Sequence, residues 1–291
     1  MSRPRPGRPS LALLPVHSAD VPLATSLAQR LQLPFAPEAT DPRSCQEFDL
    51  LLMVSGGMLS LQQTLGGITG GPGERRERAG RKSSGGALPG PVRVDFGSPE
   101  MRHRRRSGQN ELLGRAVGVA GRRSLHVLDA TAGLGRDSFV LADMGCEVTL
   151  CEKEPVVVAL LEQGLQAARL GGDPWLQQVV RRMSLVAGDA RSLATQQLDT
   201  VDVIYLDPMF PQREKSAAVK KEMALFQLLL DGAADTELDA DQLLHWAVAQ
   251  DVARVVVKRA VRTAFLGLRK PSHSVTGKAV RFDVYVLRSI D

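Results

Sequence analysis

Apolar and polar positions along the chain change period several times, and the changes divide it. Leu11 to His17 form a short apolar run, Leu23, Leu27 and Leu31 recur at helical spacing, and Phe48 to Val54 read as a buried strand. Together they predict a small α/β module. From Val92 onward the elements alternate: a possible strand at Val92–Phe96, helical spacing over Gln109–Val117, a strand at Leu125–Leu128 and a helix at Arg136–Met144. A strand at Glu147–Cys151, a helix at Pro155–Arg169 with proline in its first turn, and a strand at Ser184–Ala187 continue the pattern. Next come a strand at Val201–Leu206, helices at about Ala217–Leu230 and Ala240–Gln250, and a strand at Arg254–Val257. The chain closes on a predicted hairpin, His273–Thr276 with Arg281–Leu287. Apolar strands alternating with helices predict an α/β fold: a mostly parallel sheet covered on both faces, with a C-terminal antiparallel hairpin at one edge.

Between these regions the pattern fails. From Gly66 to Gly90 nine of 25 residues are glycine, mixed with Arg, Lys, Ser and Pro, so the stretch buries little and reads as a flexible linker. We therefore expect an accessory module at 1–91 and a larger domain at 92–291, within what 291 residues can fill.

Charge refines this division. The net +5 comes from one segment: Pro72 to Arg106 holds ten Lys/Arg against four Asp/Glu, and the remainder nets −1. A local basic excess in an otherwise neutral chain suggests a polyanion contact. Arg102, His103, Arg104, Arg105 and Arg106 cannot all be buried, and the planar donor fork of arginine suits phosphate. A solvated basic turn is the competing reading. Three cysteines without metal-ligand spacing, no apolar run of eighteen residues and a proline-broken N-terminus predict a cytoplasmic protein with reduced thiols, no membrane span and no metal.

The candidate chemistry gathers at the strand ends. Asp129-Ala-Thr-Ala-Gly133-Leu-Gly135-Arg-Asp137 is a strand, a small-residue loop and a helix N-terminus, a geometry that brings backbone close to a ligand and favours its anionic group. A pyrophosphate would ask for a third glycine. An acid at the end of the first strand, a G-x-G turn and a second acid, Glu152, at the end of the next suit S-adenosylmethionine, whose ribose diol donates to a carboxylate. Asp189 and Asp207 also fall at strand ends, where ligands bind in open α/β sheets. Asp207-Pro208-Met209-Phe210 offers a carboxylate, a carbonyl freed by the proline and an aromatic face, which together suit a planar exocyclic amine.

At these residues the sequence resembles a known group. The loop and acids are similar to those of class I S-adenosylmethionine methyltransferases, and D-P-M-F resembles their motif for amino-group methylation. More closely, 129–137, Tyr205–Pro211, Lys215–Met223, Val255–Arg259 and Arg281–Tyr285 resemble the ribosomal RNA small subunit methyltransferase J family. The resemblance runs from about Val92 to Leu287, is weak before it, and leaves Thr69–Gly86 as an insertion. It implies a Rossmann-like fold with a seven-stranded sheet, transfer of methyl from S-adenosylmethionine to guanine N2 in 16S ribosomal RNA, and a cofactor site of Arg136, Asp137, Glu152, Lys153, Asp189, Ala190 and Asp207. Asp207, Pro208 and Phe210 are then the expected catalytic turn, with the RNA, free or in the small ribosomal subunit, held by Arg102–Arg106, Lys215, Lys220, Lys221 and Lys258. Two readings from other classes are a nicotinamide-dependent oxidoreductase, which the two-glycine loop disfavours, and a non-catalytic RNA-binding module, which the set of strand-end acids disfavours.

Overall fold

The computed structural model describes residues 9–37, 40–66, 88, 90–105, 108–119, 124–208, 225, 228–229 and 236–290. Met209, Phe210, Lys215, Lys220, Lys221, Arg106 and most of the expected 217–230 helix lie outside them. The chain forms two compact units, Met1–Arg93 with Pro211–Ala234, and Val94–Phe210 with Asp235–Asp291.

In the first unit, β1 (Leu11–Pro15) pairs in parallel with β2 (Leu50–Ser55), and β2 pairs antiparallel with β3 (Met58–Gln63). Helix α1 (Val21–Leu31) supplies the crossover that a parallel pair requires. Ala12, Leu14, Ala36 and Leu51 form a small core there. Strand β3 escaped the sequence reading, although the Gly56-Gly57 turn before it has positive φ at both residues and closes a hairpin.

The second unit opens with α2 (Pro99–Arg105) and α3 (Gly108–Val117), and then alternates. Its elements are β4 (His126–Asp129), α4 (Arg136–Asp143), β5 (Glu147–Glu152), α5 (Pro155–Leu170), α6 (Pro174–Arg181), β6 (Met183–Ala187), α7 (Thr195–Leu198) and β7 (Val203–Leu206). The last four are α8 (Thr236–Val248), β8 (Arg254–Ala260), β9 (His273–Thr276) and β10 (Val280–Val286). The seven strands order as β6-β5-β4-β7-β8-β10-β9. Strands β4 to β8 run parallel, and β10 is antiparallel to both β8 and β9, as the sequence predicts. The chain moves outward from β4 in one direction, returns, and leaves from β7 in the other, so a crevice opens beyond the ends of β4 and β7.

Two differences from the expected elements have physical causes. Val92 makes a single bridge to Leu61, and the alternating Val92, Val94 and Phe96 do not form a strand. Val94 packs where a Cβ on Gly164 of α5 would sit, and Phe96 stacks on Phe139 with ring centroids 5.1 Å apart. Alternation here serves packing, not pairing. Helix α6, absent from the sequence reading, starts where the Asp173 carboxylate accepts the N–H groups of Trp175 and Leu176 ahead of a proline first turn. Among the described residues no helix is long and apolar enough to cross a membrane.

Candidate active site

Small residues build the β4–α4 loop. Gly133 and Gly135 have φ of 54° and 70°, in the left-handed region that glycine occupies without penalty. A Cβ on Gly135 would come within 3.0 Å of Leu161, 3.1 Å of Leu150 and 3.2 Å of Phe96, so this glycine lets helix and sheet close together. Near Gly133 the nearest atom to a built Cβ is the Thr131 carbonyl oxygen at 4.0 Å, so the space is open for a ligand.

Asp129 holds the loop from beneath. Buried, it accepts the Thr131 N–H at 3.2 Å and the Ser138 hydroxyl at 2.5 Å, and burial pushes its pKa up to about 7 against those bonds. Glu152, at the end of β5, accepts the Gly133 N–H on one oxygen at 2.9 Å and the Glu154 N–H on the other at 2.8 Å. Burial raises its pKa while these backbone donors oppose the shift. Each carboxylate oxygen keeps acceptor capacity, so a ribose diol can add to this arrangement without displacing it.

At the end of β6, Asp189 caps the following turn by accepting the Arg191 N–H and pairs with the Arg191 guanidinium at 2.5 Å, which holds its carboxyl below the usual range. Asp239 on α8 joins Arg191 at 2.7 Å and Lys153 at 2.6 Å. Ala190 is buried beside this cluster, and Arg136 lies 3.4 Å from Glu100. Of the expected cofactor residues, Glu152, Lys153, Asp189 and Ala190 thus gather at the ends of β5 and β6, with Lys153 and Asp189 engaged by Asp239 and Arg191. Sequence spacing had singled out neither of those two.

On the other side of the crevice a second group forms. The Asp207 N–H donates to Thr131 Oγ1 at 2.6 Å and the Ala130 N–H to the Tyr205 carbonyl at 3.0 Å, so β7 is stitched to the glycine loop. Leu206 pairs with Val257, and the next residues in register, Asp207 and Lys258, meet: Lys258 Nζ lies 2.7 Å from Asp207 Oδ2. The same ammonium lies 2.7 Å from Asp137 Oδ2, which also accepts the Tyr205 hydroxyl at 2.7 Å, while Asp137 Oδ1 pairs with Arg104. Burial would raise the Asp137 pKa, but Lys258 and Arg104 outweigh it and hold the carboxyl well below its ordinary value. Burial would likewise lower Lys258, and the two aspartates instead hold its ammonium well above the ordinary lysine value.

The arginine segment is partly committed within the chain. Arg104 pairs with Asp137, and Arg102 lies over the Trp175 ring at 5.5 Å and pairs with Asp173 at 2.5 Å. His103 is exposed. The 281–285 motif is also structural. Arg281 pairs with buried Asp283 at 2.9 Å and donates to the carbonyls of Val261 and Thr263, tying down the turn after β8.

A glycine loop with a carboxylate at the next strand end, facing a strand-end Asp-Pro turn, defines a class of enzyme. A family model described as "Putative SAM-dependent methyltransferase" matches residues 79–287, and the protein is an S-adenosylmethionine-dependent methyltransferase. It is similar to ribosomal RNA small subunit methyltransferase J of Thioalkalivibrio sulfidiphilus, 50% identical over 202 residues covering 68% of this chain and 77% of that one. The protein of the same name from Cellvibrio japonicus is 42% identical over 286 residues, covering 94% and 97% of the two chains, so the likeness takes in the first unit as well. The crystal structure of a SAM-dependent methyltransferase from Neisseria gonorrhoeae matches with a TM-score of 0.66 at 31% identity, covering 96% of this chain and 97% of that one. The chain belongs to the ribosomal RNA small subunit methyltransferase J family.

Proposed function

We propose that the protein methylates the exocyclic N2 amine of a guanine in 16S ribosomal RNA, in the cytoplasm, with Asp207 as the residue that receives the amine. The observation that carries this is the placement of Asp207: its backbone is bonded to the glycine loop through Thr131, and Lys258 occupies Oδ2. In this reading the other carboxylate oxygen, Oδ1, accepts the substrate N–H. When bound, S-adenosylmethionine supplies a methyl group on a positively charged sulfur. The loop at Gly133 and Gly135 and the Glu152 carboxylate would hold it, with Arg136, Asp137, Lys153, Asp189 and Ala190 completing that edge.

An aromatic amine is a poor nucleophile because its lone pair is delocalised into the ring. Accepting its N–H groups at Asp207 and a carbonyl of the Asp207-Pro208 turn fixes the nitrogen and turns the lone pair out of conjugation, while Phe210 stacks on the base. Once methylated, the nitrogen sheds a proton, which in this reading Asp207 accepts. In this reading Arg102, His103, Arg105 and Arg106, with Lys215, Lys220 and Lys221, supply the phosphate contacts. The test is methylation of unmodified 16S RNA, free and within the small subunit, with labelled S-adenosylmethionine and nucleoside analysis by mass. N2-methylguanine is the expected product. Label in another nucleoside, or none in either substrate, would overturn the assignment.

A further inference from the structure

We propose that Lys258 is a positioning residue for methyl transfer, acting through Asp207, and that Asp137, Tyr205 and Arg104 are the mount that holds it. The proposal rests on the reading of Asp207 as the amine-orienting group. The register of β7 and β8 brings the Lys258 side chain beside Asp207, and its ammonium bridges the two carboxylates at 2.7 Å each. Asp137 is 10% exposed and Lys258 20%, whereas Asp207 is 39% exposed, so the ion triad runs from buried to open and ends on the group that faces the crevice.

Three features argue for positioning over a phosphate contact. Lys258 is the positive partner of a buried carboxylate, and drawing it out to RNA would leave Asp137, among the described residues, with Arg104 as its one paired cation. Tyr205, fully buried, donates to the same Asp137 oxygen that Lys258 uses, which fixes that oxygen and with it the ammonium. A carboxylate gripped on Oδ2 has Oδ1 directed by the same contact, so the lysine decides where the substrate's acceptor points.

The test compares Lys258→Met, Lys258→Arg, Asp207→Ala and the double variant Asp207→Ala/Lys258→Met. The readouts are single-turnover rate at saturating RNA and cofactor, cofactor affinity without RNA, and the salt dependence of RNA affinity. We expect Lys258→Met to slow the single-turnover step roughly ten- to a hundredfold, as misplacement of an orienting group does. Its salt slope and cofactor affinity should match the parent, Lys258→Arg should recover part of the rate, and the double variant should be no slower than Asp207→Ala alone. A parental rate in Lys258→Met with a salt slope reduced by about one, the mark of a single lost phosphate contact, would overturn the proposal. Equal losses of rate and cofactor affinity in both lysine variants would also overturn it, since an ion pair that merely supports the fold gives that result. If Asp207→Ala is slow while Lys258→Met is parental, the proposal alone fails. If Asp207→Ala itself is parental, the reading of Asp207 fails and the proposal with it.

Discussion

Glu152 and Asp207 end strands of one sheet on either side of β4, yet they are held by different means. Glu152 is gripped by two backbone N–H groups, from Gly133 and Glu154, both within twenty residues of it in the chain. Asp207 is gripped by the Lys258 side chain, and Lys258 in turn by Asp137, itself tied to Tyr205 and Arg104, residues spread from position 104 to 258. The first arrangement is a fixed dipolar seat formed by the local fold of the loop. The second is a charged assembly that exists only when α2, α4, β7 and β8 are in place. On the proposed reading Glu152 belongs to the cofactor seat and Asp207 is the acceptor for the amine, so a locally built seat is set against an acceptor aimed by long-range contacts.

The contrast can be broken first at the acceptor. Asp207→Ala should lower the rate of methyl transfer about a hundredfold or more. A variant that turned over at the parental rate would show that the charged assembly serves something other than the amine. At the seat, Gly135→Ala places a side chain at φ 70° against Leu161, Leu150 and Phe96 and should cost on the order of 1–3 kcal/mol of stability in denaturant unfolding. Unchanged stability there would mean that α4 shifts freely, and the seat would not be fixed. Asp129, the buried support of the loop, has a folded pKa of about 7, above its ordinary 3.8. Its folded form therefore holds a proton that the unfolded chain has released, and its contribution to stability falls as pH rises from about 4 to about 7, by at most ~1.4 kcal/mol per pH unit. Asp129→Asn should remove that slope, and identical pH profiles for the two proteins would contradict the assignment of the slope to Asp129.

The same contrast explains what could be read in the sequence. The glycine loop, Asp129, Glu152 and the alternation of strands with helices are local signals: spacing, period and turn chemistry within short stretches. The Arg104–Asp137–Lys258–Asp207 assembly depends on strand register and on a helix N-terminus meeting β8, and no local pattern encodes it. Arg104 and Lys258 therefore read as two more basic residues and were grouped with the phosphate contacts. Asp239 carried no signal for the same reason, because α8 reaches Lys153 across 86 positions of sequence. Family resemblance located the residues of the Arg281–Tyr285 motif, but their work as a tether for the turn after β8 needed the three-dimensional contacts.

The smallest expected effect concerns the basic segment, in which Arg104 is already paired with Asp137. Replacing Arg105 and Arg106 by alanine should flatten the salt dependence of RNA affinity by about one to two units and leave cofactor affinity unchanged. Deleting 69–86 should change it much less, since a glycine-rich stretch loses considerable entropy on ordering against a partner. Equal changes from both would mean that the segment attracts RNA only diffusely.

The division between seat and acceptor is tested most directly by titrating S-adenosylmethionine calorimetrically into the parent, Glu152→Ala and Asp207→Ala proteins without RNA. The account predicts that Glu152→Ala binds more weakly by about 2–4 kcal/mol, the loss of two hydrogen bonds to a carboxylate, while Asp207→Ala binds nearly as the parent does. Parental affinity in Glu152→Ala, or an equal loss in both variants, would contradict it.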